Sequence, residues 1–105
     1  MEEEQLIELA TQIRAEILKG RSVDLKCWVV TLPLSLRLSE MGIENKIIKV
    51  EVDALRCKAS HEFDVLEHFC IKVGRKILDA TASQFESMPE VYFGSRPVWY
   101  KDPTE

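Results

Sequence analysis

Three residues that lie far apart in the chain, Cys27, His68 and Asp79, supply in that order a thiol, an imidazole and a carboxylate. A cysteine hydrolase needs those three types: a thiol at low pKa, a histidine to take and return the proton, and an acceptor that orients the imidazole. The last two fall in "EHFCIKVGRKILDATASQF", residues 67–85, which reads as two strands around Gly74 and Arg75. Side chains of an antiparallel pair share a face only when the register has the right parity. With a two-residue loop at Gly74-Arg75, Val73 faces Lys76, Cys70 faces Asp79 and His68 faces Thr81. His68 and Asp79 are then diagonal neighbours on one face, about 7 Å apart between the two backbones and within reach of a side-chain hydrogen bond. A three-residue loop would separate them onto opposite faces.

Each residue also has an ordinary reading. Cys27 in an apolar run can be a small buried hydrophobe. His68 can be a satisfied strand residue, and Asp79 at a strand end can bond the amide of Thr81 or Ala82. Their order along the chain, and the sharing of one hairpin face, favour the joint reading. Trp28, beside the thiol, and Gln84 are the candidate substrate-binding residues; against that, Gln84 can cap a turn, and Trp28, Phe69 and Trp99 can be core or cleft wall. Cys57, His61, His68 and Cys70 present C-x3-H-x6-H-x-C, which lacks the paired knuckle spacing of a zinc site, so no metal and no cofactor are expected. His61 is a rival base, but it sits in the loop-like "KASHEFD" with no acid placed for it by a hairpin.

Two helices and a strand join the hairpin in positioning these groups. Leu6, Leu9, Ile13 and Ile17 recur at helical spacing, which predicts an amphipathic helix over residues 2–19 stopped by Gly20. "DLKCWVVTLPLSLRLSEMG" is ambiguous: its β-branched residues and Pro33 favour extended structure, whereas Cys27, Val30, Leu34, Leu38 and Met41 form a helical stripe. We read a helix over 25–41, capped by Asp24, kinked or broken at Pro33 and ended by Gly42. Cys27 then falls in the first turn, where free N–H groups and the helix dipole favour a thiolate. "NKIIKVEV", residues 45–52, reads as a strand.

"KCWVVTLPLSLRLSEMGIENKIIKVEV" followed by "EHFCIKVGRKILDATASQF" resembles the transglutaminase-like, papain-like cysteine hydrolase superfamily. In that superfamily a Cys often followed by Trp starts a helix ending in a Gly-Ile step; a strand follows, then a strand opening with His, a turn, and a strand ending in Asp with a Thr nearby. The resemblance covers roughly residues 20–86. It implies that Cys27 is the nucleophile, His68 the general base and Asp79 the orienting acid. It also implies a thiol helix packed on an antiparallel sheet, and acyl transfer from amides through a thioester. The Gln or aromatic residue that members often carry upstream of the Cys is replaced here by "GRSVDLK", which leaves the second oxyanion donor unassigned beside the N–H of Cys27.

The 105 residues fit one α+β domain over 1–105: a papain/transglutaminase-like core at about 20–87, N-terminal helices on a small antiparallel sheet, and an irregular tail over 88–105 pinned by Tyr92, Phe93 and Trp99. A net charge of −4 with scattered Lys and Arg gives no footprint for nucleic acid. No apolar run approaches the roughly 18 residues that a membrane helix needs, so no membrane partner is expected. The acidic "MEEEQLIELA" is unlike a signal peptide, and three cysteines without framework spacing suit reduced thiols in a cytoplasm. The expected function is that of a cysteine hydrolase or acyltransferase on a peptide or protein substrate, at a peptide or glutamine-type amide. The alternative is a catalytically silent binding or regulatory module of the same fold. Protease, deamidase and transglutaminase are not told apart by these residues, and no oligomeric state follows from them.

Overall fold

A computed structural model describes residues 2–22, 26–53, 56, 65–85 and 87–101. Helix α1 (Glu3–Leu18) and helix α2 (Cys27–Glu40) precede strands β1 (Lys46–Asp53), β2 (Val65–Val73) and β3 (Lys76–Asp79). A short 3₁₀ turn (Ala82–Gln84) and strands β4 (Tyr92–Gly94) and β5 (Tyr100–Lys101) complete the order. The architecture is α+β, with a five-stranded antiparallel sheet in the order β4-β3-β2-β1-β5. Among the described residues no helix is long and apolar enough to cross a membrane.

Of the stripes their spacing predicts, the helices bury Leu6 in α1 and Val30, Leu34 and Leu38 in α2, whereas Leu9, Ile13, Ile17 and Cys27 are half-buried and Met41 is exposed. Leu6, Ala10 and Leu18 of α1 meet Val30, Leu34 and Leu38 of α2, and this layer packs on Ile71 and Leu78 of the sheet. Each of the Leu, Val and Ile side chains contributes about 1.5–3 kcal/mol by leaving water. Because successive strand residues point to opposite faces, His68 and Cys70 turn away from the face that carries Ile71. They join a second cluster with Val50, Val52, Ile77, Phe85 and Tyr100.

Helix α2 departs from expectation at two places. It runs unbroken through Pro33, which lacks the N–H that would serve the Val29 carbonyl. Val29 is half exposed, so water can take that role, and Val30, Leu34 and Leu38 are fully buried on the opposite side. Tertiary burial therefore outweighs the local cost of the proline. The start also differs: the cap position is Lys26, which makes no side-chain cap hydrogen bond, and Asp24 lies outside the described residues. At the far end the expectation for Gly42 is met. It takes φ 77°, and its N–H and that of Ile43 bond the carbonyls of Ser39 and Leu38, the pattern of a Schellman stop.

The tail is not irregular as expected. β4 pairs with β3 on one edge of the sheet and β5 pairs with β1 on the other, so the chain after Phe85 supplies both edge strands. Strands of three and two residues are too short to carry a periodic signal, and long-range pairing makes them.

Candidate active site

The β2–β3 hairpin sets the first part of the geometry. Val73 pairs with Lys76, Lys72 with Ile77 and Ile71 with Leu78, across a two-residue turn in which Gly74 takes φ 62°. Glycine at the first central position is what this class of tight turn requires. The resulting parity puts His68 and Asp79 on one face, and His68 Nε2 lies 2.6 Å from Asp79 Oδ2 with both side chains fully buried.

Asp79 accepts four hydrogen bonds. Oδ1 takes the Thr81 N–H at 3.0 Å and the Thr81 hydroxyl at 3.2 Å, while Oδ2 takes His68 and, at 2.6 Å, the hydroxyl of Tyr100. Burial alone would keep this carboxyl protonated; the charge and hydrogen bond of His68, with those of Tyr100 and Thr81, hold it below its usual value. The expected bond to the Thr81 amide and the bond to His68 are thus both made, on different oxygens.

The thiol is carried by the first residue of α2. Among the described residues that helix has neither a side-chain bond from its cap, Lys26, nor an acid in its first turn, and the Trp28 N–H acts on the Cys27 thiol. Trp28 stacks edge-on against Phe69 at 4.8 Å, and the Thr31 hydroxyl bonds the Phe69 carbonyl at 3.3 Å, fastening the first turn to β2 next to His68. Partial burial would raise the pKa of Cys27; a hydrogen bond with His68, main-chain hydrogen bonds at Phe69 and Trp28, and the imidazolium charge outweigh it and hold the thiol below its ordinary value. Burial would likewise keep His68 neutral, but Asp79 first and Cys27 second reverse this, and its pKa is raised to about 9. Nε2 is engaged by Asp79, which leaves the Nδ1 side of the ring for a hydrogen bond with Cys27.

Gln84, 3% exposed, also reaches that side: its Nε2 lies 3.2 Å from His68 Nδ1 and 3.4 Å from Thr81 Oγ1. The Thr81 proton is spent on Asp79, so the hydroxyl oxygen can only accept, and the amide group facing it must be the NH₂. Trp28, next to Cys27 in the chain, is 46% exposed. Cys70, fully buried on β2, has its thiol pushed up by burial and takes no part. Cys57 and His61, the remaining members of the zinc spacing and the rival base, lie outside the described residues.

Sequence reasoning missed Tyr100. It comes twenty-one residues after Asp79, on a two-residue strand, and follows the Trp99 that the pattern singled out. Its ring stands edge-on to His68, Phe85 and Trp99. Only its proximity to a buried carboxylate marks it, and that exists only once β5 has docked on β1.

No protein-family model, curated protein or solved structure matches this chain.

Proposed function

We propose that the protein is a cysteine hydrolase or acyltransferase with a transglutaminase-like, papain-like core, acting on a peptide or glutamine-type amide. The supporting observation is a buried imidazole held by Asp79 at 2.6 Å through Nε2; the lowering of the Cys27 thiol pKa by that ring adds to it. The order of the groups, thiol at a helix start and His and Asp on the next strands of an antiparallel sheet, supports the same reading.

In this mechanism the Cys27 thiolate attacks the amide carbonyl carbon and the carbonyl electrons move onto oxygen. The N–H of Cys27, which has no intrahelical acceptor at the first helical position, and the Gln84 amide are the donors beside that oxygen. Collapse of the tetrahedral species expels the amine, which takes its proton from His68 Nδ1, and leaves a thioester on Sγ. Water or an incoming amine then gives its proton to His68 and attacks the thioester, the C–S bond breaks, and the thiolate returns. Asp79 holds the ring and stabilises the imidazolium without becoming protonated. Reduced thiols fit work in a reducing compartment such as the cytoplasm.

The test is mass spectrometry after incubation with an activated amide and, separately, with a thiol-directed probe. An acyl adduct confined to Cys27, slowed at least tenfold by His68→Ala, is the expected result. A thiol that alkylates but never acylates favours the silent module, and a thiol inert until unfolding removes the assignment.

A further inference from the structure

Asp79 Oδ2 serves two donors at the same distance, and only one of them belongs to the catalytic set. The imidazole Nε2 and the Tyr100 hydroxyl both lie 2.6 Å from this oxygen. Tyr100 is fully buried, and its phenol is pushed far up, by burial and then by the Asp79 charge, so it stays a donor at any pH the fold tolerates. Its orientation is fixed by the tail: Tyr100 N–H bonds the Pro97 carbonyl at 3.0 Å, Arg96 reaches the Tyr100 carbonyl at 3.1 Å, and the strand is paired at Val52.

We propose that Tyr100 is a positioning residue for the Cys27–His68–Asp79 set, its hydroxyl sharing Asp79 Oδ2 with the imidazole and thereby setting how tightly the carboxylate holds the His68 proton. This deepens the reading of His68 as the base and rests on it. A phenol proton on Oδ2 draws electron density from the oxygen that His68 donates to, and the positive end of the O–H dipole lies beside the ring. Both effects make the imidazolium less favourable than an unshared carboxylate would. The shared oxygen thus keeps the histidine able to give its proton to a leaving amine, where Asp79 alone would retain it. Among the described residues the titratable groups around His68 are Cys27 from α2, Asp79 from β3, Tyr100 from β5 and Cys70 from its own strand, with Arg96 acting on Cys70. β1 places Val50 opposite, and the 3₁₀ turn and the residue after it bring the uncharged Gln84 and Phe85.

The chain has two histidines and two tyrosines, which makes the test selective. In ¹⁵N-histidine-labelled protein, His61→Ala leaves one imidazole whose midpoint NMR follows directly. Tyr100→Phe keeps the ring packing and removes the hydroxyl; the His68 midpoint is expected to rise by about half a pH unit or more. In a Tyr92→Phe background, biosynthetic 3-fluorotyrosine marks position 100 alone with a more acidic, stronger donor, and the midpoint should move down. That second variant keeps the hydroxyl, so it reports even where Tyr100→Phe fails to fold. A merely structural tyrosine would lower the unfolding temperature and leave both midpoints in place, which would overturn the proposal. Cys27→Ala separates the two readings: with the thiol contact real it shifts the midpoint, and no shift removes the proposed function and this role of Tyr100 with it.

Discussion

At the scale of single residues, the site is a set of hydrogen-bond accounts that close on one another. Thr81 gives its one hydroxyl proton to Asp79, so Gln84 must present its NH₂ to Thr81 and to Nδ1 of His68. In the resting thiolate–imidazolium pair Nδ1 carries a proton and cannot accept from that amide, so the N–H is available to an oxyanion forming beside it. Gln84→Ala is therefore expected to lower acyl-enzyme formation by about 10²-fold, the usual cost of one oxyanion donor, in stopped-flow acylation. Alkylation of Cys27, which forms no oxyanion, should change by less than about threefold. Equal losses in both assays would show that Gln84 acts on the thiol or on the fold instead. Asp79→Asn should slow alkylation less than His68→Ala does, because the base remains while its orientation and charge partner are disturbed.

At the scale of elements, α2 and the hairpin each carry a local conflict that packing decides. Pro33 sits inside a helix whose buried side is made by Val30, Leu34 and Leu38, and its cost is borne locally. Pro33→Ala should stabilise the protein by on the order of 1–2 kcal/mol in urea unfolding, part of the roughly 3 kcal/mol propensity difference being lost with the contacts of the ring. Gly74 works the other way. An alanine there has open space around its Cβ but must adopt φ 62°. The expected penalty is about 1 kcal/mol or more. If the turn lengthened to relieve it, the parity that joins His68 to Asp79 would be lost and Cys27 alkylation would slow to the level of His68→Ala.

At the scale of the whole molecule, the tail and the proton balance matter most. Ending the chain after Ser95 removes Trp99 and Tyr100, which pack on Phe85 and His68. Loss of one large buried aromatic costs about 3–5 kcal/mol, against a typical total of 5–15 kcal/mol. Circular dichroism of the truncated chain should show lost tertiary signal at 25 °C. For pH, a raised His68 stabilises the fold fully below the unfolded value of 6.5, and this is lost as pH climbs through about 9. A lowered Cys27 has the opposite sign: its contribution is present above the unfolded thiol value of 9.0 and lost as pH falls through its folded one. Between about 6.5 and 9 the two contributions oppose each other, so the stability of the wild type should depend on pH less than that of a variant lacking the thiol. Cys27→Ala leaves the histidine alone with Asp79 and should lose stability as pH rises above about 6.5 more steeply than the wild type does, read by urea titrations at a series of pH values. Below about pH 4 both forms should weaken, as Asp79 must be protonated to unfold into acid.

The sequence by itself determined the parts governed by local rules. The 3.6-residue stripes made both helices, Gly42 ended α2, and a two-residue turn at Gly74-Arg75 fixed by parity alone that His68 and Asp79 share a face. Only the tertiary structure decided the rest. A helix through Pro33 follows from burial of the opposite side, which no window of sequence contains. The edge strands β4 and β5 are two or three residues long and exist because the sheet offers them unpaired backbone. Tyr100 is the clearest case: a tyrosine in a tail carries no pattern, and its meaning comes from a buried carboxylate oxygen that needs one more donor, brought within 2.6 Å only when the last strand closes on the first.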